Sequence, residues 1–473
     1  MKTECTEKRF EFQPLGRREI VANFNGGTIT SDGGGQLLRE VEKRTNILGR
    51  FAGCFTDHRN QDLIEHSVLD LVSQRVFAIA LGYEDLNDHD ELARDQFLAA
   101  MVGKIDPTGD SRLLKRDKGH ALAGKSTLNR LELTPEDADE KSRYKKIVMN
   151  SEAIDLLLID TFIESYPEAP ERIILDVDAT DIPLHGQQEE RFFHGYYDTY
   201  CYLPLYIFCG DELLCARLRP ANIDGAAGTT DELKRIIPRI RASWPEVKII
   251  LRGDSGFCRE DLMSWCEDPD NRVDYLFGLA KNNRLIQEIE DELAEAKIMF
   301  ECSQEPSRRF KDFTYQTLKS WSRPRRVVGK AEQLAGRSNP RFIVTSLGKE
   351  EYDARSLYED EYCARGDMEN RIKEKQLMLF ADRTSSAKMR ANQLRLYFSS
   401  IAYLLMQTLR RIGLKGTEMA RAQCDTIRLK LLKIGAHIKI TVRKIWVAYA
   451  SSYPYAELFR EVYRNLQQVP IRT

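Results

Sequence analysis

Two apolar segments that each end in an aspartate constrain the fold of this 473-residue chain more than any other feature. Residues 172–178 end at Asp178 and residues 247–254 end at Asp254, and both runs are rich in isoleucine, leucine and valine. Short apolar runs of this composition are typical of buried strands. The sequence therefore predicts two buried strands, each of which carries a carboxylate at its carboxyl end.

The segments around these two strands predict how they pair. In chain order, the pattern indicates strands at 172–178, 200–208 and 213–219, a helix at 230–243, a strand at 247–254, a helix at 260–266 and a strand at 273–279. Consecutive antiparallel strands followed by a right-handed crossover place the first and fourth strands side by side. Because sites in open α/β sheets form at the carboxyl ends of strands, we expect Asp178 and Asp254 to converge. Asp176 shares a strand face with Asp178 and stays open as the alternative ligand.

A polar segment at about residues 283–340 interrupts this order of elements. Strand-like pieces lie near 310–318, 326–334 and 341–347, and they predict a mostly β insertion. A long helix then begins at a capping box formed by Ser356 and Glu359, and we expect it to continue to about Phe380.

One stripe of this predicted helix combines an acid with basic and aromatic side chains. Its members, three or four residues apart, are Tyr362, Arg365, Glu369, Lys373 and Gln376. Such a face can place Glu369 at the two aspartates while the other side chains reach beyond it. Taken alone, a stripe of this kind is ordinarily a solvated surface.

Asp178, Asp254 and Glu369 together predict a metal site. No histidine or thiol accompanies them in the pattern, and oxygen ligands are those that Mg²⁺ or Mn²⁺ prefers. Two such ions can activate an attacking oxygen and stabilise the leaving oxygen of a phosphodiester. We therefore expect two ions of Mg²⁺ or Mn²⁺ at these three carboxylates.

The distribution of charge indicates a polyanionic partner. Residues 371–473 contain 20 Lys and Arg against 6 Asp and Glu, whereas the net charge of the whole chain is −2. A basic region on an acidic body favours nucleic acid, although a solvated helical surface would have the same composition.

A second basic segment, residues 111–131, contains a possible helix-turn-helix. A small-residue turn precedes a predicted helix that would present Lys125, Thr127, Asn129 and Arg130 to DNA. Ordinary helical hairpins share this pattern, so the alternative is a packing role.

The remaining composition excludes several classes of protein. The ten cysteines form no C-x-x-C pair and the seven histidines no H-x-x-x-H pair, which argues against a zinc site or a disulfide framework. No uncharged apolar run approaches the ~20 residues of a membrane span, so no membrane partner is expected. Since no apolar signal core follows Met1–Cys5, we expect a cytoplasmic protein.

Three blocks of this sequence resemble the signature of DDE transposases of bacterial insertion sequences, in the branch with a Y-R-E-K signature. The blocks are Asp178-Ala179-Thr180, Asp254-Ser255-Gly256-Phe257, and Tyr362, Arg365 and Glu369 at their spacing of three and four residues. The resemblance covers about residues 60–400. The lysine expected seven residues after the glutamate is Gln376 here, while Lys373 and Lys375 lie nearby.

The resemblance implies an α/β fold: a ribonuclease H-like mixed sheet flanked by helices, with a β-rich insertion and additional N- and C-terminal helical regions. The implied division is 1–165 for a mostly helical region that binds DNA ends, 166–282 for the first part of the catalytic core, 283–347 for the insertion, 348–400 for the rest of the core with the glutamate helix, and 401–473 for a basic helical region.

The resemblance also implies an activity. Asp178, Asp254 and Glu369 would hold the ions for cleavage at terminal inverted repeats of double-stranded DNA, followed by strand transfer into target DNA. Tyr362 and Arg365 would position phosphates, and Lys373 would be a further phosphate contact. By analogy with the family, two copies of the chain would form a homodimer around the DNA ends, in a bacterial cytoplasm and associated with the nucleoid.

The sequence leaves the role of Trp321 and the exact activity open. Trp321 in the insertion is predicted to stack on an unpaired base, or else to lie in the core of the insertion. The alternatives to a cut-and-paste transposase are a ribonuclease H-like, metal-dependent endonuclease without strand transfer and a non-catalytic DNA-binding protein derived from a transposase.

Overall fold

The computed structural model describes residues 9–472, so the expectation drawn from Met1–Cys5 lies outside the described residues. These residues form two compact units. The first contains the chain up to residue 46, residues 69–128 and the chain from residue 408. The second contains residues 47–68 and 129–407. Within the described residues, no helix is long and apolar enough to cross a membrane.

The first unit combines helices with two exposed hairpins. Its main helices are Gln36–Thr45, Val68–Leu81, Gln96–Val102 and Ala456–Gln467. Strands Phe10–Leu15 and Arg18–Ala22 pair with each other, and Ala436–Ile440 pairs with both Ile29–Thr30 and Ile445–Tyr449. The prediction that residues 401–473 are wholly helical is therefore wrong at 436–449. Alternating apolar residues at 436, 438 and 440 favour a strand there.

The second unit is built on a nine-stranded mixed sheet. We number its strands β1 Arg172–Ala179, β2 Leu205–Cys209, β3 Glu212–Arg217, β4 Lys248–Gly253, β5 Val273–Leu279, β6 Ser307–Tyr315, β7 Arg325–Leu334, β8 Arg337–Ser338 and β9 Arg341–Thr345. The order across the sheet is β3-β2-β1-β4-β5-β9-β7-β6, with β8 beside β7. β1, β4 and β5 are parallel to one another, and the other pairs are antiparallel.

This order confirms the predicted ribonuclease H-like mixed sheet, including the pairing of the first strand with the fourth. The predicted strand 200–208 is divided at Pro204, because proline cannot donate to a ladder. Thr199–Tyr202 instead joins Phe192–His194 and Ile182–Pro183 in a small separate sheet.

The two faces of β1 have different partners. Ile173, Leu175 and Val177 belong to the main core cluster. On that face lie helices Ser151–Glu164, Thr229–Ser243 and Glu260–Glu267, which contribute apolar side chains to the same cluster. Ile174, Asp176 and Asp178 alternate with these residues and point to the other face. The period of two thus buries one face in apolar contacts and places both carboxylates on the opposite one.

The predicted insertion differs from the structure in two ways. Residues 283–303 are helical, in Asn283–Glu288 and Glu290–Ser303, whereas the prediction was mostly β. The strands that follow, β6, β7 and β9, are confirmed, but they extend the main sheet because β9 pairs with β5. The helical error has a local cause, since Asn282 caps the first of these helices by accepting from the amide of Leu285 at 3.0 Å.

Trp321 lies in the core, so the prediction that it stacks on a base is wrong. Its side chain is 7% exposed and packs edge-on against Tyr315, with ring centroids 5.8 Å apart. The guanidinium of Arg325 lies 5.4 Å from the indole ring and also pairs with Glu260 and Glu267. Trp446, by contrast, is 55% exposed.

Trp321→Ala is expected to lower the free energy of unfolding by about 3 to 5 kcal/mol, because it removes a large buried side chain and leaves a cavity. Urea denaturation measures the effect. Leu318→Ala is the control, since Leu318 is 83% exposed in the same segment and its loss should change stability by under about 0.5 kcal/mol. Equal effects of the two substitutions would contradict a core position for Trp321.

Candidate active site

Asp178 and Asp254 lie side by side at the carboxyl ends of β1 and β4. The parallel register pairs Val177 with Gly253, so the next residue of each strand is an aspartate. Neighbouring strands are about 4.8 Å apart, which brings the two carboxyl groups together. Asp178 accepts from the amide of Ala179 at 2.9 Å, and Asp254 accepts from the amide of Gly256 at 2.8 Å. The convergence predicted from the sequence is confirmed.

Glu369 is carried by a helical segment at residues 354–378, which we call the glutamate helix. It is irregular: α-helical turns at Ala354–Ser356 and Gly366–Lys373 alternate with π-helical turns at Leu357–Tyr362 and Glu374–Met378 and a 3₁₀ turn at Cys363–Arg365. π-Helical turns are rare and often lie at functional sites.

The start of the glutamate helix differs from the predicted capping box. Asp353 is the N-cap, and its carboxylate accepts from the amides of Arg355 and Ser356 at 3.0 and 3.2 Å. The hydroxyl of Ser356 donates to the same carboxylate, and Glu359 pairs with Arg355 at 2.8 Å. The box of Ser356 and Glu359 is therefore wrong, because an aspartate three residues earlier satisfies the first amides.

A buried ion pair attaches the glutamate helix to the sheet. Arg252 in β4 donates to both oxygens of Asp176 in β1, at 2.5 and 2.8 Å. The same guanidinium donates to the carbonyl of Glu361 in the helix. Arg172 in β1 adds a contact of 2.9 Å to the Glu361 carboxylate. These contacts attach the helix to the face of the sheet that carries Asp176 and Asp178.

The same pair answers the question of which aspartate faces the site. Both oxygens of Asp176 are occupied by Arg252, and Asp176 is 4% exposed. Breaking such a buried pair would leave an uncompensated charge, at a cost of roughly 3 to 5 kcal/mol. Of the two aspartates, Asp176 is therefore committed to the ion pair with Arg252, and Asp178 remains the candidate ligand.

One guanidinium group connects the acids of the strand and the helix. Arg365 lies 3.3 Å from the carboxylate of Asp178 and 3.6 Å from that of Glu369. Because one guanidinium contacts both carboxylates, Asp178 and Glu369 lie close to each other on either side of Arg365. Asp254 completes the group from the neighbouring strand. The structure thus brings together the three acids that the sequence singled out.

The electrostatics of Asp178 reflect this crowding. The pKa of Asp178 is raised to about 6, with burial as the largest cause; Arg365 acts in the opposite direction, and the charges of Asp254 and Glu369 contribute to the rise. The ionised form of Asp178 is therefore costly in the protein as it stands. A divalent cation would relieve that cost, which is the behaviour expected of a cation ligand.

Tyr362 reaches the same end of the sheet through a gap left by a glycine. A Cβ at Gly278 of β5 would lie 2.5 Å from the hydroxyl oxygen of Tyr362 and 2.9 Å from the amide nitrogen of Ser255. Only glycine leaves room for the phenol beside the Asp254–Ser255 backbone. Burial, as the largest cause, raises the pKa of Tyr362.

The donor set fits Mg²⁺ or Mn²⁺ in chemistry but not yet in geometry. All three side chains offer carboxylate oxygens, which hard divalent cations prefer. Across residues 9–472, no group of three or more acids, histidines or cysteines is arranged as a ready metal site. Arg365 lies between Asp178 and Glu369, and its guanidinium would have to move for both to contact one ion. The side chain of Glu369 is 50% exposed.

The two lysines near Gln376, Lys373 and Lys375, differ in solvent exposure. Lys373 is exposed on the glutamate helix, as the predicted stripe requires. Lys375 is fully buried, with its ammonium 4.5 Å from the ring of Tyr206, and burial lowers its pKa well below the usual value. Gln376 donates to the carbonyl of Asp181 at 3.4 Å. Of the two lysines, Lys373 is therefore the one that could reach a phosphate.

The predicted helix-turn-helix is wrong. Its second helix exists as Lys125–Glu132, but the preceding helix ends at Val102, and within residues 103–124 there is only the 3₁₀ turn Lys115–Asp117. The glycines and charged residues of that segment favour turns over a helix.

The four side chains predicted to read DNA there differ in their environment. Asn129 and Arg130 are exposed, and Thr127 is half-buried. The ammonium of Lys125 pairs with Asp90 at 3.0 Å, and Arg130 lies over the ring of Tyr144.

Three residues of the site were missed from the sequence. Arg252 follows three apolar residues in its strand, and Gly278 lies inside another strand. Both are signals that could have indicated a special role. Tyr197 gave no such signal. Its hydroxyl donates to the carbonyl of Ala179 at 3.4 Å, and burial raises its pKa to about 12, with Asp181, Asp178 and Asp254 adding to the effect.

The sheet order and the carboxylates at adjacent central strands define the class as a ribonuclease H-like protein with an acidic site. Comparison of sequences identifies the family: the one described as Transposase DDE domain group 1 matches residues 12–471. The chain belongs to this family, and the resemblance to DDE transposases is thereby confirmed.

The chain was also compared with curated proteins and with solved structures. No curated protein matches this sequence. Among solved structures, a cryo-EM structure described as a piggyBac transposase synaptic complex with hairpin DNA is similar at 11% sequence identity and a TM-score of 0.40. The match covers 84% of this chain and 80% of that one.

Asp178→Asn is expected to stabilise the metal-free protein at pH 8. The pKa of Asp178 is raised from 3.8 to about 6, so the folded state binds this proton more tightly and loses stability as the pH rises through that window. Asparagine mimics the protonated form, and the gain should be ~2 to 3 kcal/mol at pH 8. Denaturation in EDTA at pH 8 and pH 5 measures it.

The gain from Asp178→Asn should be smaller at pH 5 and vanish below about pH 3, where the Asp178 carboxyl is neutral in both the folded and the unfolded state. Asp360→Asn, an exposed acid on the glutamate helix, is the control and should have little effect at either pH. A gain of equal size at both pH values would show that ionisation of Asp178 does not cost stability.

Proposed function

We propose that this protein is a cut-and-paste DNA transposase that cleaves at terminal inverted repeats and joins the freed ends to target DNA. Membership of the DDE transposase family over residues 12–471 supports the transposase class. The observation that carries the proposal is that Arg365 contacts both Asp178 and Glu369, while the charge of Asp254 acts on Asp178 from the adjacent strand.

We assign the divalent cations, two ions of Mg²⁺ or Mn²⁺, to Asp178, Asp254 and Glu369. When bound, such ions activate an attacking oxygen and stabilise the leaving oxygen of the phosphodiester. Asp178 and Asp254 provide ligands fixed to adjacent strands, and Glu369 provides a mobile ligand from the glutamate helix. Asp176 and Arg252 keep that helix in place and act as positioning residues.

The cationic and aromatic side chains around the acids are assigned to the DNA backbone. Arg365 contacts Asp178 and Glu369 in the protein alone, and it would turn to a phosphate once those acids are neutralised. Tyr362, held at Gly278, is positioned to donate its hydroxyl beside Asp254. The exposed Lys373 takes the role of the signature lysine that Gln376 replaces.

Further parts of the proposal follow from the resemblance to bacterial insertion-sequence transposases with a Y-R-E-K signature. Tyr362, Arg365 and Glu369 match that signature at its spacing. Synapsis of two DNA ends requires two active sites, so we propose that the protein acts as a homodimer on double-stranded DNA.

Glu369→Gln is expected to reduce Mg²⁺-dependent cleavage at least 100-fold, because the amide cannot replace a carboxylate as a cation ligand. The substrate is linear DNA that carries the inverted repeats flanking the gene, and gel electrophoresis measures the cleaved fraction. Asp360→Asn is the matched control, since it removes an exposed acid from the same helix and should leave cleavage unchanged. Undiminished cleavage by Glu369→Gln would exclude a metal role for this residue.

The products distinguish a transposase from an endonuclease. We expect wild-type protein in Mg²⁺ to join the 3′ ends of the cleaved fragment to a second duplex, because the freed hydroxyl can attack a target phosphodiester in the same site. Sequencing of the junctions detects this step. Cleavage without junctions would favour the endonuclease, and binding without cleavage would favour a non-catalytic DNA-binding protein.

A further inference from the structure

The longest acid-free stretch within residues 401–473 is residues 426–456. It contains six lysines and arginines and no aspartate or glutamate: Arg428, Lys430, Lys433, Lys439, Arg443 and Lys444. Three of these cations are carried by one hairpin, strands Ala436–Ile440 and Ile445–Tyr449. We call residues 436–449 the basic hairpin.

The basic hairpin is anchored at one end and projects at the other. Ala436 and His437 pair with Thr30 and Ile29, and the amide of Ile438 donates to the carbonyl of Thr28 at 2.8 Å. Ala436 and Ile438 are buried. Beyond this anchor, the residues from 441 to 446 are all exposed.

The two faces of the hairpin are chemically different. Cross-strand pairs share a face, and the pairs Lys439 with Trp446 and His437 with Ala448 form one exposed face. The ammonium of Lys444 lies 5.2 Å from the ring of Trp446, a cation–π contact that holds both side chains at the surface. The exposed face therefore presents cations beside a flat aromatic ring.

The tip of the hairpin is ordered by its own hydrogen bonds. The amide and hydroxyl of Thr441 donate to the carbonyl of Lys444 at 2.9 and 2.8 Å, and the amide of Lys444 donates back to the hydroxyl at 3.1 Å. In this turn Val442 is fully exposed to solvent and Arg443 is exposed. A preformed turn reduces the entropy that binding would otherwise cost.

We propose that the basic hairpin is a binding site for duplex DNA, with Lys439, Arg443 and Lys444 on phosphates and Trp446 against the sugars. The inference rests on the proposed function, since it names the element that holds DNA. A two-stranded ribbon fits the major groove, about 12 Å wide, where the tip would lie between the two phosphate backbones. No carboxylate within residues 9–472 pairs with these three cations, so they are available to an anion.

The experiment measures binding of full-length protein to a duplex oligonucleotide of mixed sequence, in EDTA so that cleavage does not interfere. The affinity is measured by fluorescence anisotropy from about 50 to 200 mM salt. The combined variant Lys439→Gln, Arg443→Gln and Lys444→Gln removes three phosphate contacts. The slope of log affinity against log salt should become shallower by about 2 to 3, since each contact contributes about 0.9.

The matched control removes the same charge from the other exposed hairpin of the first unit, with Arg9→Gln, Arg17→Gln and Arg18→Gln. That hairpin also contains Glu11 and Glu19, and we expect its slope to change by less than about 1. A third variant, Lys439→Arg, Arg443→Lys and Lys444→Arg, keeps the charge and should retain the wild-type slope.

The outcomes separate this inference from the proposed function. If the wild-type protein shows no salt-dependent DNA binding, the proposed function itself fails. The inference is overturned if the wild-type slope is steep and the combined Lys439, Arg443 and Lys444 variant has the same slope, or a slope reduced no more than that of the control. An acidic protein partner would then be the occupant of this face. A shallower slope in that variant alone supports it.

Discussion

The parallel pairing of β1 with β4 is the constraint on which the site depends. It places Asp178 and Asp254 at the ends of adjacent strands, and it also pairs Asp176 with Arg252 across the two strands. The buried pair of Arg252 and Asp176 then binds the carbonyl of Glu361, which holds the glutamate helix over the same sheet edge. Arg252 and Asp176 do not themselves lie at the centre of the site, but they determine whether Glu369 is brought close to Asp178 and Asp254.

The site that results is electrostatically unbalanced in the protein alone. Asp178 is buried beside two other carboxylates, and Arg365 offsets only part of that cost. Active sites commonly hold such unfavourable charge because it is used in function. In the proposed function, the aspartates on adjacent strands would be the rigid cation ligands, and the more exposed Glu369 would be the adjustable one. Arg365 is the natural exchange partner between the acids and a phosphate.

The main sheet and the three acids could be predicted because their signals are local. The alternation in residues 172–178 predicted which side chains share a face of the strand. The rules for hairpins and crossovers predicted which strands lie next to each other in the sheet. Tertiary packing decided the rest. Nothing local showed that Trp321 would be enclosed by Tyr315 and Arg325. The hairpin at 436–449 did have a local signal, the alternation at 436, 438 and 440, which the prediction of a helical region overlooked. The preference between Asp176 and Asp178 likewise needed the contact to Arg252.

Anomalous diffraction from Mn²⁺-soaked crystals tests the central claim most directly, because it locates the cations without relying on activity. We predict anomalous peaks within about 2.0 to 2.3 Å of carboxylate oxygens of Asp178, Asp254 and Glu369, with the guanidinium of Arg365 displaced from between them. Peaks at saturating Mn²⁺ that avoid these three side chains, with Arg365 still bridging Asp178 and Glu369, would contradict the account.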